Sequence, residues 1–317
     1  MKQVTVVIPN YNGKTMLLQC LEQLHKNTAI ELDVIVVDNG SEDESILRAK
    51  EHFPQIQYVM LDQNYGLSKA VNTGIEMAKT PYVFLLNNDA FVQKGCIERL
   101  MRTIKKSKQI FSVEAKIIQY HEPDKLDSAG TFYNAMGWAF ARGKGNVKEA
   151  YSKRETTFAA CAAAALYRKE VLEQIGGFDE NYFAYLEDID VGYRARINGY
   201  QNVYEPDAQV LHVGSGTSGS QYNVFKVKYS ARNNVYLIYK NMPGIQILIN
   251  TPFLIAGFLV KTVFFVKKGY GSCYIEGLKE GTALCRSLQK NKYKRLCLKN
   301  YVQIQKELWR NLIRKRW

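Results

Sequence analysis

The sequence predicts an α/β fold in which a mostly parallel central sheet is followed by a helical C-terminal region. Over the first hundred residues, short apolar runs alternate with stretches of helical pattern, which is typical of parallel strands joined by helices. After residue 222 the pattern is helical to the end. With 317 residues, 46% hydrophobic and 23% charged, the chain has the composition of a folded protein with one or two domains.

Four strands are predicted in the first hundred residues, at 4–8, 32–38, 56–61 and 82–86. Helices are predicted to begin near Thr15, within the stretch SEDES, and at residue 67, where the third helix runs to about 78. Ser41 is the expected cap of the second helix, with Glu44 three residues later. Because the strands are continuously apolar, we expect helices to cover both faces of the sheet.

Between about 110 and 215 the pattern loosens into shorter strands, glycine-containing loops and one helix, LEDIDVGYRARING. The alanine-rich stretch FAACAAAALY, residues 158–167, contains few β-branched residues. Its position before a short helix and the sequence GGFDE nevertheless favours a buried strand.

Polar residues follow each of the four predicted strands. They are Pro9-Asn10-Tyr11-Asn12, Asp38-Asn39-Gly40, Asp62-Gln63-Asn64 and Asn87-Asn88-Asp89. Ligands of parallel sheets bind beyond the carboxyl ends of the strands, so we expect a binding site at this edge. Other interpretations remain open for single residues, because an Asp before a Gly, such as Asp38, also suits a turn or a helix cap. A lone carboxylate such as Asp89 is more often structural.

A second candidate region is GGFDENYFAYLEDIDVGYR, residues 176–194. It combines acidic and aromatic side chains, namely Asp179, Glu187, Asp188 and Asp190 with Phe178, Tyr182, Phe183 and Tyr185. Aromatic rings beside carboxylates suit a sugar-binding cleft in which one carboxylate acts as a base. The structural alternatives are acids at a helix N-terminus and an i,i+4 ion pair between Asp190 and Arg194. His212, before the small-residue loop GSGTSG, suits a metal or phosphate site or a structural role.

Several function classes find no support in the sequence. No GxGxxG or GxxxxGKT motif occurs, which disfavours dinucleotide-binding Rossmann proteins and P-loop enzymes. The six cysteines are far apart and form no zinc-type cluster, which is typical of reduced thiols in a cytosolic protein. The N-terminus enters a strand pattern without a signal-peptide region, so we expect the main domain in the cytoplasm.

Six motifs in order resemble glycosyltransferase family 2, and within it the bacterial rhamnosyltransferase-like members. They are VVIPNYNG, VIVVDNGSED, NYGLSKAVNTGI, LLNNDA, GGFDENYFAYLEDIDVGYR and LHVGSG. The resemblance covers roughly residues 3–240. It implies a GT-A fold, which is Rossmann-like, and inverting transfer from a nucleoside diphosphate sugar. It also implies a domain over 1–240, with a nucleotide-sugar half at 1–110 and an acceptor and catalytic half at 111–240, followed by a separate helical region at 241–317.

The resemblance also implies roles for single residues on the donor side. Pro9 and Tyr11 would lie against the nucleobase, whose edge Asp38 would hydrogen-bond. The rest of the nucleotide-sugar pocket would be formed by Asn64, Gly66, Asn72, Asn87 and Asn88. Asp89 matches the family's metal-coordinating acid, and His212 matches a His that completes the metal shell in some members.

On the acceptor side the resemblance implies that Asp188 is the catalytic base. Glu187, Asp190 and Arg194 would lie around it, toward the acceptor. The pair within ARNN, residues 231–234, also matches the family, with no role assignable from the sequence. Mg²⁺ or Mn²⁺ suits the reaction because either ion bridges and neutralises a diphosphate leaving group, taking much of its coordination from phosphate and water. The chain departs from the family at Asn87, which replaces the first acid of the DxD motif, so metal affinity is expected to be modest.

Charge is concentrated near the C-terminus. Residues from 261 onward contain fifteen Lys and Arg and three Glu, and so carry +12 of the net +13. The stretch 242–269 is the most apolar in the chain, yet polar residues interrupt it. We expect a helix lying in a membrane interface, with a spanning helix and packing on the main domain as alternatives. The basic tail with Trp309 and Trp317 favours an anionic leaflet, and no nucleic-acid-binding module is visible.

The predicted function is a metal-dependent inverting glycosyltransferase, peripheral on the inner face of the cell membrane. It would transfer a sugar, with rhamnose from dTDP-rhamnose as the first candidate, to a lipid-linked or polysaccharide acceptor in cell-surface glycan synthesis. A UDP-hexose-dependent transferase is the enzymatic alternative, and a non-catalytic nucleotide-sugar or glycan-binding protein is the alternative from another class. A nucleotidyltransferase is disfavoured because a Gly-rich phosphate loop near the N-terminus is lacking. The sequence assigns neither the linkage nor an oligomeric state.

Overall fold

A computed structural model describes residues 2–214, 222–288 and 290–314. Residues 215–219 of the small-residue loop and Trp317, both singled out from the sequence, lie outside these ranges. The described strands are β1 Val4–Asn10, β2 Leu32–Asn39, β3 Gln57–Leu61, β4 Tyr82–Leu86, β5 Ala90–Val92, β6 Ile110–Gln119, β7 Leu126–Ser128, β8 Thr131–Tyr133, β9 Ala139–Ala141, β10 Glu155–Thr157, β11 Ala164–Arg168 and β12 Gln201–His212. The described α-helices are α1 Lys14–Asn27, α2 Ser45–His52, α3 Leu67–Met77, α4 Cys96–Ile104, α5 Lys169–Ile175, α6 Glu187–Ile197, α7 Val224–Asn241, α8 Gly244–Lys267, α9 Gly271–Ser287 and α10 Leu298–Ile313.

The central sheet is mixed and has the strand order β10-β12-β6-β11-β4-β1-β2-β3. The predicted parallel arrangement of β1 to β4 is confirmed by the register of β1 with β2 and β4, and of β2 with β3. β11 then pairs antiparallel with both β4 and β6, while β12 runs parallel to β6. Strand β5 pairs with the end of β12, which brings residue 90 opposite residue 212 at the carboxyl edge of the sheet.

One local prediction is confirmed in part and another was wrong. The strand predicted at 158–167 is formed only at Ala164–Arg168, and the buried residues before it adopt an irregular path against α6. There Gly192 leaves room for Ala159, since a Cβ on Gly192 would lie 2.6 Å from the Ala159 Cβ. Ser41 does not cap α2, because its hydroxyl instead donates to Asp38 Oδ1 over 2.6 Å and the helix begins only at Ser45.

The C-terminal helices pack on the main domain. α10 buries Tyr301, Ile304 and Leu308 in an aromatic core that it shares with α6 and α7. Its Glu307 pairs with Arg196 of α6, so apolar and ionic contacts both hold the helix in place. The basic tail therefore uses one face for docking, and only the opposite face is exposed. The predicted boundary at residue 240 stays a prediction.

Within the part of the chain that the structure describes, one helix is long and apolar enough to cross a membrane, Gly244–Lys267. Most of its surface is exposed, although Gln246, Asn250, Leu254 and Gly257 form a buried stripe along one side.

Candidate functional site

A hydrogen-bonded polar cluster joins the carboxyl ends of β1, β2 and β4. Asn10 donates to Asp38 Oδ1 over 2.9 Å and accepts from Asn88 Nδ2 over 2.8 Å. Ser41 donates to the same carboxylate, through its hydroxyl over 2.6 Å and its backbone N–H over 3.1 Å. Asp38 is 1% exposed, so the carboxylate first of all orders the loops at the sheet edge. Partly buried Tyr11 adjoins this cluster.

The segment after β3 forms a tight turn that ends at Gly66. Asn64 Oδ1 accepts hydrogen bonds from Gly66 N and from Asn39 Nδ2, each over 2.9 Å. Gly66 has φ 88°, and a Cβ there would lie 2.5 Å from the carbonyl oxygen of Phe183. Only glycine therefore permits this close approach between the turn and the segment that precedes Asp188. The two stretches implied to bind donor and acceptor meet at this point.

Asn72 connects the same two regions from one turn further along α3. Its Nδ2 donates to the Phe178 carbonyl over 2.7 Å, and its Oδ1 accepts from Phe178 N over 3.0 Å. Both ends of the amide are thus engaged with protein backbone. Phe178 and Tyr182 are almost fully buried, which corrects the interpretation that they line a sugar-binding cleft. Phe183 and Tyr185 are only partly buried.

Asp89 and His212 meet at the sheet edge where β5 pairs with β12. Asp89 Oδ1 lies 3.2 Å from His212 Nε2, and the other ring nitrogen, Nδ1, lies 2.9 Å from Asp127 Oδ2. Burial lowers the pKa of His212, but its bonds to Asp127 and Asp89 raise it overall to about 9. The result is a continuous carboxylate–imidazole–carboxylate chain. Asp127 was not predicted from the sequence, because it lies 85 positions from His212 and belongs to none of the six motifs.

The donor atoms of this chain fit a divalent cation when phosphate oxygens complete its shell. Asp89 supplies a carboxylate oxygen and His212 would supply an imidazole nitrogen once a cation displaces its ring proton. Asp127 fixes the imidazole orientation from behind, as outer-shell carboxylates do in metal sites. The described residues contain no cluster of three or more metal-binding side chains, so the protein alone offers an incomplete shell. At Asn87 the main chain is held, its N–H donating to the Ala163 carbonyl over 3.0 Å.

Asp188 lies in the first turn of α6 and is partly buried. Burial raises the pKa of its carboxyl group to about 6, although Ile189 N donates to Oδ1 over 2.8 Å. Burial and the neighbouring charge of Asp188 also raise the pKa of Glu187. Glu187 Oε2 has no hydrogen-bond partner among the described residues. A carboxylate whose pKa lies close to neutrality is suited to accept a proton.

A third buried carboxyl group, missed from the sequence, lies in the same neighbourhood. Glu114 of β6 accepts hydrogen bonds from Ser128 Oγ, Thr131 Oγ1 and Cys161 N. Burial raises its pKa to about 7, and the charge of Asp188 acts in the same direction. Burial raises the pKa of the Cys161 thiol, and the negative charges of Asp188 and Asp127 raise it further. Glu114 thus contacts Cys161 through a direct hydrogen bond, and the charge of Asp188 acts on both groups.

Asp190 belongs to a structural ion network that supports α6. It is fully buried and accepts hydrogen bonds from Arg194 Nε, Lys240 Nζ and Asn241 Nδ2. The predicted i,i+4 pair with Arg194 is confirmed, at 2.7 Å. Burial raises the pKa of Asp190, but the positive charges of Arg194 and Lys240 lower it overall to about 2. Asp190 and Arg194 thus link α6, which carries Asp188, to α7.

The segment just before Asp188 has an unusual backbone. Phe183, Tyr185 and Leu186 have φ of 59°, 73° and 68°, and they are three of the five non-glycine residues with positive φ in the described ranges. Such conformations cost about 1–3 kcal/mol each and persist only where the surroundings impose them. Here the surroundings include Asn233, whose Nδ2 donates to the carbonyls of Tyr182, Ala184 and Tyr185 over 2.7–2.8 Å. Part of the ARNN motif thereby receives a structural role.

Comparison of the sequence with models of known protein families identifies the class of protein. The family model described as Glycosyl transferase family 2 matches residues 5–176, which is more than half of the chain. This chain belongs to glycosyl transferase family 2. The resemblance read from the six motifs is thereby confirmed, and the protein is a glycosyltransferase.

Individual relatives are more distant. By sequence, the glycosyltransferase is similar to the N-acetylglucosaminyl-diphospho-decaprenol L-rhamnosyltransferase of Mycobacterium tuberculosis, with 27% identity over 239 residues, 68% of this chain and 77% of that protein. By structure, it is similar to S. aureus TarS 1-349 in complex with UDP-GlcNAc, with a TM-score of 0.61, 17% identity and coverage of 96% and 89%. It also resembles GalNAc-T7 with UDP, GalNAc and Mn²⁺ (TM-score 0.60, 15% identity), covering 75% of this chain and about half, 48%, of that one. These neighbours confirm the predicted GT-A fold.

Replacing Asp127 by Asn in the glycosyltransferase is expected to weaken Mn²⁺ binding about 10–100-fold, as loss of an outer-shell carboxylate typically does. The physical reason is that His212 Nδ1 loses its charged partner. The measurement is calorimetric titration of Mn²⁺ into enzyme with a nucleoside diphosphate. Asp124→Asn is the matched control, because the Asp124 side chain is 91% exposed. Equal affinities in wild type and Asp127→Asn would argue against the assignment.

Replacing Asn233 by Ala is expected to lower kcat at least tenfold with little change in donor KM. The three carbonyls of the segment before Asp188 lose their shared donor, which costs about 1–3 kcal/mol and frees the base to move. Asn234→Ala is the matched control, because its side chain is buried on the same helix but bonds Tyr133. Steady-state kinetics and melting curves distinguish the effects of the two variants on kcat and on stability. Equal losses of both kcat and stability in the two variants would reduce Asn233 to a general structural role.

Proposed function

We propose that the protein is an inverting, metal-dependent glycosyltransferase that transfers rhamnose from dTDP-rhamnose to a lipid-linked acceptor. The single observation that carries the mechanism is the geometry of one sheet edge. The segment that precedes the proposed base, Asp188, meets the turn at the carboxyl edge of the sheet, where Leu67 N donates to the Phe183 carbonyl over 2.6 Å, and the Asp89–His212–Asp127 chain lies at the same edge. The similarity to a mycobacterial enzyme named as an L-rhamnosyltransferase supports the choice of donor sugar and of a lipid-linked acceptor.

Different residues of the chain have different roles in a single displacement reaction. Asp188 takes the proton from the acceptor hydroxyl as the acceptor oxygen forms a bond to the anomeric carbon. The bond from that carbon to the donor phosphate breaks, and its electron pair leaves with the nucleoside diphosphate. Asp89 and His212 would hold Mg²⁺ or Mn²⁺, which when bound neutralises charge on the diphosphate. Attack opposite the leaving group inverts the anomeric configuration.

The polar cluster at the ends of β1, β2 and β4 is assigned to the nucleotide. Pro9, Tyr11 and Asp38 would contact the base, and the turn Asn64–Gly66 would face the ribose and phosphates. Asn72, Asn87 and Asn88 contribute mainly by fixing the surrounding loops, since Asn72 and Asn88 donate to protein acceptors. Glu187, with an oxygen lacking a hydrogen-bond partner among the described residues, would face the acceptor side.

A UDP-hexose-dependent transferase is the second candidate. It is supported by the structural similarity to TarS, which was solved with UDP-GlcNAc. Asp38 does not distinguish the two donors, since a carboxylate hydrogen-bonds the edges of uracil and thymine alike. A non-catalytic nucleotide-sugar-binding protein would need no base, and the raised pKa of Asp188 argues against it.

A panel of nucleotide sugars distinguishes these functions. Thermal melts with Mn²⁺ and dTDP-rhamnose, UDP-glucose, UDP-GlcNAc or GDP-mannose are expected to show the largest stabilisation with dTDP-rhamnose. Ligand that binds only the folded state adds about 2.7 kcal/mol of stability at 100 Kd. Preferential stabilisation by a UDP-sugar would select the second candidate. Release of nucleoside diphosphate in the same samples would exclude the binding protein, and stabilisation without any release would favour it.

A further inference from the structure

The exposed surface of α8 is apolar over most of its length, with Lys267 at its end, and we call the exposed apolar side chains the α8 ridge. Ten of its large apolar side chains are more than one third exposed. The most exposed of them are Ile245, Leu248, Ile255, Leu259, Val263 and Val266. No charged residue occurs from 244 to 260. An apolar surface of this extent is unusual for a protein that remains in water and marks an interaction site.

The opposite side of α8 is fixed to the domain by specific polar contacts. Asn250 and Gln305 of α10 exchange two hydrogen bonds of 2.8 Å each, and Gln246 accepts from Tyr193 Oη over 2.5 Å. Gly257 approaches residue 136 so closely that a Cβ would lie 2.1 Å from its carbonyl oxygen. While α8 is docked in this way, it cannot stand across a bilayer. The α8 ridge is therefore available to lie along a membrane surface while the buried side of the helix stays on the domain.

The C-terminal end of α8 continues toward the active site through aromatic contacts. Tyr222 lies 5.7 Å from Phe264 of the ridge, ring centroid to ring centroid. Three residues further on, Phe225 is 40% exposed and lies 5.9 Å from Tyr185. Tyr185 belongs to the strained segment before Asp188. Aromatic contacts thus join the ridge to Tyr222 and join Phe225 to the segment before Asp188, and Tyr222 and Phe225 are three positions apart in the chain.

Basic side chains are exposed on α8 and on the elements that follow it. Those exposed on α8, α9, α10 and the connections between them are Lys267, Lys268, Lys279, Arg286, Lys292 and Lys294 among others. Each Lys or Arg close to an anionic leaflet strengthens membrane partitioning by roughly fivefold. An apolar helix face with neighbouring cations matches the headgroup and acyl boundary of an anionic bilayer. A second copy of this chain would instead bring like charges together.

We infer that the α8 ridge lies in the surface of an anionic phospholipid bilayer and that the aromatic path guides a lipid-linked acceptor from the bilayer to Asp188. The acceptor part of this inference rests on the proposed function, whereas the membrane part does not. The partner of the ridge is the lipid surface itself, and the helix remains docked on the domain when it binds.

Vesicle flotation of the full chain tests the membrane part. Wild type is expected to bind vesicles of phosphatidylglycerol and phosphatidylethanolamine, and the double variant Leu248→Glu/Leu259→Glu to bind at least tenfold less. The control Leu47→Glu/Met60→Glu changes equally exposed residues of α2 and β3 and should bind like wild type. Melting curves check that both variants fold. Undiminished binding by the ridge variant, or a soluble wild-type dimer that this variant dissociates, would overturn the inference.

The acceptor path is tested with two acceptors that share one sugar, one carrying a long polyprenyl chain in vesicles and one a short water-soluble chain. Phe225→Ala is expected to lower the ratio of turnover on the long-chain acceptor to turnover on the short-chain acceptor at least fivefold. An unchanged ratio would contradict the path. Failure of the proposed function would appear differently, as absence of transfer to either acceptor, with vesicle binding retained.

Discussion

Replacing Asp188 by Asn is expected to abolish sugar transfer while the enzyme still binds its donor. Asn has the same shape and can still accept the Ile189 N–H, which now bonds Asp188 Oδ1 over 2.8 Å, so the start of α6 should be preserved. The amide cannot take a proton from the acceptor hydroxyl. General-base assistance is typically worth about 10²–10⁴-fold, and we expect a loss in kcat of that size or larger.

Two measurements make this prediction specific. Donor binding, followed by thermal shift with Mn²⁺, should match wild type in Asp188→Asn and in the control Asp124→Asn, whereas only the former loses turnover. In wild type, kcat/KM should fall as pH drops through about 6, because burial raises the pKa of Asp188 to that value and the protonated acid cannot act as a base. Turnover near the wild-type rate in Asp188→Asn would remove Asp188 from the mechanism.

Replacing Asp89 by Ala is expected to eliminate Mn²⁺-dependent donor binding. Asp89 is 5% exposed and supplies the carboxylate of the proposed cation site. With Asn at position 87, the neighbouring acid common in the family is absent, so no second carboxylate of this motif can substitute. The loss in cation affinity should therefore exceed the roughly 10–100-fold effect expected for an outer-shell partner such as Asp127.

The readout is titration of Mn²⁺ and nucleoside diphosphate together, with Asp62→Ala as a control at the end of a neighbouring strand. Asp62 follows β3 at the same edge of the sheet but belongs to neither the polar cluster nor the His212 chain. Nucleotide binding without the cation should be similar in all three proteins. Identical cation-dependent binding in wild type and Asp89→Ala would show that the metal, if used, is held elsewhere.

The sequence predicted the fold of the first hundred residues well for a physical reason. Parallel strands covered on both faces must be apolar, so β1, β2 and β4 contain continuous apolar runs, whereas β3 at the edge of the sheet is partly exposed. The polar residues after all four strands converge at one edge. The mixed half was harder to predict. β11 is short and alanine-rich, and its neighbours β6 and β12 come from distant parts of the chain, so no local pattern gives their register.

The same limit applies to the site. Asp188 and His212 lie in recognisable motifs, but Asp127, Glu114 and Asn233 act through partners 14 to 85 positions away. Burial, which sets the protonation of Glu114 and Asp188, is likewise a property of the assembled fold. At the C-terminus, the basic and apolar pattern was consistent with either a membrane or a protein surface, and in the structure α8 and α10 each bury one side against the protein and expose the other.

The anomeric configuration of the transferred sugar tests the central claim most directly. Wild-type enzyme is supplied with dTDP-rhamnose, Mn²⁺ and a lipid-linked acceptor, and the product is analysed by the one-bond carbon–proton coupling at the anomeric centre. A single displacement assisted by Asp188 predicts a product whose configuration is inverted relative to the donor. Retention of configuration would require a different mechanism and would contradict the role assigned to Asp188.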